Sequence, residues 1–191
     1  GKAVGMPVYK LLGGPVRDKV VCYPHNEGKT YEALLESCQK TVAEGWKFVR
    51  FNFPSDGDIL DPRPAVRNGI EQFAAVREAV GPDIEMIVDV HTRLDPPDAS
   101  RFCRGIESYA QFFVEDPIRS ENPQLLRKLN QQVRVPIAMG EQYATKWEFR
   151  QLIEEEWIDY ARIDLCHAGG LTEAKKIAGW CETHYIKLAV H

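Results

Sequence analysis

The feature that most constrains this 191-residue sequence is a regular alternation of short β-branched or aromatic runs with longer amphipathic segments. The short runs predict seven strands, at residues 20–23, 48–51, 86–89, 112–115, 137–139, 160–163 and 187–190. The amphipathic segments predict helices at residues 30–44, 65–80, 99–109, 122–132, 146–155 and 171–183. Near-continuous apolar strands that are separated by helices indicate a parallel sheet buried on both faces.

The strands recur about every 25 residues, which is the length of one strand–helix step in a barrel. An eight-step barrel usually needs about 250 residues, so we expect an incomplete α/β fold of the (β/α)₈ TIM-barrel type, with seven strands present and the eighth absent. Residues 1–14 are expected to lead into the barrel, and residues 15–191 to form it. A doubly wound open sheet is the competing architecture, but no G-x-G-x-x-G motif follows the first predicted strand.

Composition excludes several classes of function. The formal net charge of −4 provides no broad basic face for a nucleic acid. No apolar run approaches the roughly 20 residues that a membrane-spanning helix needs. The five cysteines are widely spaced and form no C-x-x-C pair, which favours reduced thiols in a cytoplasmic protein over a disulfide framework. We therefore expect a cytoplasmic protein that binds neither nucleic acid nor membrane.

Three acidic residues interrupt the apolar pattern at the ends of predicted strands. Asp89, Glu115 and Glu141 follow one another at intervals of 26 residues. Because each strand–helix step advances one position around a barrel, these acids should project from successive strands at the rim where barrel enzymes carry their chemistry. Converging carboxylates repel one another unless a cation neutralises them. Oxygen ligands with open positions for substrate favour Mg²⁺.

Several motifs resemble the enolase superfamily, and within it the mandelate racemase-like branch. The matching segments are residues 88–91 (VDVH), 113–117 (FVEDP), 139–141 (MGE), 164–172 (DLCHAGGLT) and His191. The sequence is most similar to sugar-acid dehydratases of the galactonate and mannonate type. The resemblance implies an N-terminal capping domain and an eighth strand, neither of which we expect in this stretch, and assembly into a homo-oligomer.

The resemblance also implies roles for individual residues. The metal ligands would be Asp89, Glu115 and Glu141. His191 would be the general base that removes the α-proton of the substrate, and Asp164 would orient its imidazole ring. His91, two residues after Asp89, would donate a proton to the departing 3-hydroxyl group.

The second strand departs from the pattern of several relatives, which carry a Lys-x-Lys pair there. This sequence has Arg50 and Asn52 instead, and arginine is too basic to accept a proton readily near pH 7. We therefore expect Arg50 and Asn52 to bind substrate or balance charge. His25, in the loop expected after the first strand, and Arg93, after the third, are further candidates for substrate binding.

Together these features predict a Mg²⁺-dependent lyase that dehydrates a sugar acid to a 2-keto-3-deoxy acid. Abstraction of the proton next to the carboxylate would be followed by loss of the 3-hydroxyl group. Two alternatives stay open: a racemase or epimerase of a 2-hydroxy acid that shares the same enediolate, and a non-catalytic barrel fragment.

Overall fold

The computed structural model describes residues 1–54 and 62–191. Its sheet holds seven parallel strands whose order in space is their order in sequence. They are β1 (His25–Asn26), β2 (Phe48–Asn52), β3 (Glu85–Asp89), β4 (Phe113–Glu115), β5 (Ile137–Met139), β6 (Tyr160–Ala161) and β7 (Lys187–Leu188). This sequential parallel order confirms the predicted barrel-type wall of an α/β protein.

One short helix precedes the first strand, and a helix then follows each of the strands β1 to β6. The helices are α1 (Val8–Leu11), α2 (Tyr31–Ala43), α3 (Arg63–Val80), α4 (Pro96–Ile106), α5 (Gln124–Asn130), α6 (Lys146–Glu154) and α7 (Leu171–Thr183). Local sequence sets their ends: the Thr30 hydroxyl accepts a hydrogen bond from the Ala33 amide at the start of α2, and Thr145 forms a capping box with Glu148 at the start of α6.

The main core lies between the outer face of the sheet and the helices. Its largest fully buried side chains include Phe51 of β2, Phe73 of α3, Phe102 of α4 and Phe149 of α6. Each buried aromatic or aliphatic side chain contributes roughly 1.5–3 kcal/mol relative to an exposed one. This packing holds the strands rigidly and so fixes the positions of the side chains at their ends.

The first strand lies later than the sequence pattern predicts. Residues 20–23 are β-branched in part, but Val20 and Val21 are exposed and belong to no strand. The pairing with β2 instead joins His25 to Arg50 and Asn26 to Phe51. A β-branched run forms a strand only where it can pair with a neighbouring strand. In this part of the chain, the residues that pair with β2 are His25 and Asn26.

All the strands point the same way, so their carboxyl ends share one edge of the sheet, here called the rim, and their amino ends share the opposite edge, here called the floor. At the floor, the Arg77 guanidinium donates hydrogen bonds to carbonyl oxygens that precede β3 and β4, those of Gly81, Ile84, Tyr109 and Ala110. Among the described residues, no helix is both long and apolar enough to cross a membrane.

Candidate metal and acid–base site

The three predicted acids all lie at the rim. Asp89 is the last residue of β3, Glu115 is the last residue of β4, and these two residues are partners in the strand register. Glu141 follows β5 by two residues. Asp89 and Glu115 are 2% and 0% exposed, and the Glu141 side chain is 15% exposed. The site therefore has a closed inner part and a more open outer part.

A fourth acid lies in the closed part. Asp89, Glu115 and Asp116 each offer a carboxylate oxygen within 4.8 Å of the others. Asp116 is only 1% exposed, and its φ of 41° turns the chain sharply after β4. Glu141 is outside this group of three and reaches the site through other contacts, so its role as a metal ligand stays a prediction.

Arg50 binds the inner acids from β2. Its Nη2 donates to Asp89 in a very short contact, and its Nε donates to Glu115 Oε2 at 3.4 Å. Its Nη1 donates to His25 Nδ1 and to Asn52 Oδ1, both at 3.2 Å. One guanidinium group thus joins residues from the ends of four neighbouring strands.

A second arginine, Arg162, enters the site directly after β6 and is 3% exposed. Its Nη2 lies 2.6 Å from Glu115 Oε1 and 3.6 Å from Glu141 Oε2. The contact with Glu115 is a close ion pair between two buried side chains. Arg162 therefore connects the closed part of the site with Glu141.

Burial dominates the electrostatics of the inner acids. Burial raises the pKa of Glu115, and the nearby Arg162 guanidinium acts against that shift. The pKa of Asp116 lies well above its ordinary value because of burial, with Glu141 and Glu115 adding to the shift. Asp116 therefore favours its protonated form more strongly than an exposed aspartate does, and the close approach of several carboxyl groups is the reason that Arg50 and Arg162 matter here.

The donor set fits a hard divalent cation. All the candidate ligands are carboxylate oxygens, the class that Mg²⁺ prefers. Asp116 Oδ2 is buried without a hydrogen-bond partner in the described part of the chain, which is costly unless another group binds it. Asp89, Glu115 and Glu141, with Asp116 at the inner side, are the residues that could hold the ion.

His191 and Asp164 are in contact, as the resemblance implies. The Asp164 Oδ2 atom lies 2.9 Å from His191 Nδ1, and Asp164 Oδ1 accepts a hydrogen bond from the His167 amide. These hydrogen bonds lower the pKa of Asp164 to about 2, with the His167 amide the larger cause. The other ring nitrogen of His191, Nε2, lies 3.5 Å from Glu141 Oε2 and faces the acids.

His91 contacts Asp89, at the other side of the acid group from His191. Its Nδ1 lies 3.2 Å from Asp89 Oδ2, and its amide donates to Asp89 Oδ1 at 2.8 Å. His91 and Thr92 have positive φ values of 53° and 60°, so the chain turns immediately after β3. The side chain is 60% exposed and so is open to a ligand.

The remaining candidates for substrate binding divide into two groups. His25 and Asn52 contact Arg50 and so adjoin the site. His25 lies in β1, not in the loop where the sequence places it, and burial and Arg50 lower its pKa. Arg93 is turned toward the backbone, where Nη1 donates to the Phe53 carbonyl at 3.4 Å.

The sequence reasoning missed Arg162 and Asp116. Arg162 stands two residues before Asp164 in an otherwise apolar run, so strand alternation places both on the same face, and this signal was available. Asp116 has no such signal, because strand alternation alone would turn it away from Glu115. Its position depends on the turn at positive φ, which is uncommon for a residue other than glycine.

Comparisons with known proteins find relatives with dehydratase names and a structural neighbour described as an enolase. A D-mannonate dehydratase of Caulobacter sp. (strain K31) is 34% identical, over 100% of this chain and 53% of the relative. A D-galactonate dehydratase family member, RspA, of Cellvibrio japonicus is 32% identical over the same shares. The crystal structure of an enolase from Pantoea ananatis, with bound D-gluconate and Mg, has a TM-score of 0.92 and 31% identity, over 100% of this chain and 54% of that chain.

The chain thus spans about half the length of the curated relatives that it matches. The family model described as enolase C-terminal domain-like matches residues 33–191, which include every strand from β2 onward and all the acids of the site. This chain belongs to the enolase C-terminal domain-like family.

Proposed function

We propose that the protein is a Mg²⁺-dependent dehydratase of a sugar acid, which it converts to a 2-keto-3-deoxy acid. The proposal draws on the dehydratase names of relatives at 32–34% identity and on the D-gluconate and Mg bound to a structural neighbour. Most of its support comes from the arrangement of the acids and histidines at the rim of this chain.

The observation that carries the proposal is an unbroken series of polar contacts that begins at His91 and ends at His191 and its partner Asp164. In order, its members are His91, Asp89, Arg50, Glu115, Arg162, Glu141, His191 and Asp164. An acid–base pair at the two ends of a carboxylate cluster suits a reaction that removes one proton and delivers another.

His191 is proposed as the base. Asp164 accepts from Nδ1, so Nε2 is the nitrogen that carries a free lone pair and faces Glu141. Nε2 would take the proton from the α-carbon, and the electrons of the broken C–H bond would move into the carboxylate to form an enediolate. A bound Mg²⁺ supplies several kcal/mol of stabilisation to that developing charge.

His91 is proposed as the acid. The C3–O bond breaks as the enediolate electrons form the C2–C3 double bond, and a proton from the His91 ring converts the leaving hydroxide to water. The resulting enol then tautomerises to the 2-keto-3-deoxy acid. Asp89 would hold the His91 ring through Nδ1, which leaves Nε2 to face the substrate.

The two histidines separate the dehydratase from the racemase alternative. In D₂O, with a panel of aldonic acids, His191→Asn should abolish both α-proton exchange and 2-keto acid formation. His91→Asn should lower 2-keto acid formation by about 10²–10⁴-fold while retaining exchange. His184, which contacts Glu156 at 3.3 Å away from the acid cluster, provides the matched control, and His184→Asn should behave as the unmodified protein does.

Other outcomes would redirect the proposal. Inversion at the α-carbon without any 2-keto acid would support a racemase or epimerase. Absence of both exchange and product from every aldonic acid, together with no uptake of Mg²⁺, would support a non-catalytic barrel domain.

A further inference from the structure

The geometry points to Arg162 as a positioning residue that sets the distance between the proposed base His191 and the acid Glu115. Its bearing on catalysis rests on the proposed function. The inference comes from the two sides of one guanidinium group, which bind different parts of the molecule: Nη1 binds backbone and Tyr23, whereas Nη2 binds carboxylates.

The Nη1 side holds the end of β7. Arg162 Nη1 donates to the carbonyl oxygens of Ala189 at 2.9 Å and Val190 at 3.2 Å. These are the two residues immediately before His191. The His191 amide in turn donates to the Ile163 carbonyl at 3.1 Å. The backbone at His191 is therefore held by both Arg162 and Ile163.

The same nitrogen also reaches the segment before β1. Arg162 Nη1 donates to the Tyr23 hydroxyl at 2.7 Å, across 139 positions of sequence. Tyr23 packs edge to face with Phe113 of β4 and lies parallel to the ring of His25. Arg162 therefore joins the segment before β1 to the end of β7.

The Nη2 side holds the acids, through the ion pairs with Glu115 and Glu141 described above. Arginine suits this double task because its donors form a planar fork with fixed directions, whereas lysine presents a single rotatable ammonium group. Arg162 Nε is buried and has no hydrogen-bond partner among the described residues. A residue selected for stability alone would be expected to satisfy that donor as well.

Replacing Arg162 with lysine separates position from charge. Arg162→Lys keeps the positive charge next to Glu115, but one ammonium group cannot bind both β7 and the acids. We expect amide exchange at Ala189 and His191 to accelerate at least about tenfold, and the Kd for Mg²⁺, measured by calorimetry, to rise about 10–100-fold. The kcat should fall with little change in KM, because the base would be displaced from its working position.

Two further variants test whether the effects are specific to the contacts of Arg162. Arg77→Lys makes the same substitution in the floor arginine and should leave the Kd for Mg²⁺ and the exchange of Ala189 and His191 unchanged. Tyr23→Phe removes only the hydroxyl acceptor of Arg162 Nη1. It should shift the exchange at His191 in the same direction as Arg162→Lys but by a smaller factor.

The role of Arg162 is overturned if Arg162→Lys retains both the exchange rates and the Mg²⁺ affinity of the unmodified protein. If the unmodified protein takes up no Mg²⁺, the metal part of the proposed function fails, while the exchange rates at Ala189 and His191 still decide the role of Arg162. Unchanged exchange in that case would contradict it, and accelerated exchange would support it.

Discussion

The rim and the floor of the sheet both contain a guanidinium group bound at several points, yet the two sites differ in what they bind. At the floor, and within residues 1–54 and 62–191, Arg77 donates to four backbone carbonyl oxygens and to no side chain. At the rim, Arg50 and Arg162 contact carboxylates, and some buried oxygens there have no hydrogen-bond partner in the described residues.

This difference indicates that Arg77 stabilises the fold, whereas the arginines at the rim belong to the candidate site. Neutral carbonyls next to Arg77 give a satisfied hydrogen-bond network that closes the loops before β3 and β4. The acids at the rim, by contrast, repel one another and raise each other's pKa values. Such an arrangement costs stability unless a cation joins it, and enzymes commonly retain unfavourable electrostatics where chemistry requires it.

Removing the rim arginine Arg50 is the strongest way to test the comparison. Arg50→Met leaves the buried Asp89 carboxylate without its cationic partner, so we expect the free energy of unfolding in EDTA to fall by about 3–5 kcal/mol. Excess Mg²⁺ should restore part of this loss, because the ion supplies the missing positive charge. Urea unfolding with and without Mg²⁺ measures both effects, and equal losses under the two conditions would contradict the account of the rim.

The floor should respond differently to the same substitution. Arg77→Met leaves carbonyl oxygens at the loops before β3 and β4 without donors, so we expect a loss of about 1–3 kcal/mol. Mg²⁺ should not restore any of it beyond the stabilisation it gives to the unmodified protein. A specific rescue of Arg77→Met by Mg²⁺ would show that the two ends of the sheet are not independent.

The buried acid Asp116 should make the stability of the rim depend on pH. Its folded-state pKa is raised well above the ordinary value by burial, so above an ordinary aspartate pKa of about 3.9 the folded chain retains a proton that the unfolded chain has released. The free energy of unfolding should therefore fall as pH rises through this window. Asp116→Asn removes that contribution and should flatten the dependence.

Urea unfolding in EDTA at pH values between 4 and 7 measures this prediction for Asp116→Asn and the unmodified protein. The exposed Asp83 at the floor end of β3 serves as the control, and Asp83→Asn should follow the unmodified protein. Parallel curves for Asp116→Asn and the unmodified protein would indicate that Asp116 titrates normally.

The cysteines give the smallest expected effect. Cys38, Cys103 and Cys181 are buried in helices that pack on the sheet, and burial raises the pKa values of the first two to about 12 and of the third to about 11. Only the exposed Cys22 and Cys166 should react with a thiol reagent in the native protein. Rapid labelling of a third thiol, detected by mass spectrometry, would show that the helical layer opens.

Much of the fold could be predicted from the sequence because parallel strands and amphipathic helices carry distinct hydrophobic periods. The acids at the ends of β3 and β4 follow from the same pattern, whereas the contact between Asp164 and His191 was implied only by the resemblance to the enolase superfamily. The first strand was misplaced because its location depends on the register with β2. Asp116 was missed because a non-glycine turn at positive φ depends on tertiary packing and leaves no local signal.

The most direct test of the central claim is a crystal of the protein soaked in Mn²⁺, with the anomalous signal used to locate the ion. We expect one peak at the rim, bound by oxygens of Asp89, Glu115 and Glu141 at slightly more than the roughly 2.0–2.1 Å that is typical of Mg²⁺. His191 Nε2 should face the open side of that ion. The account would be contradicted by the absence of a peak, or by an ion that Glu141 does not contact.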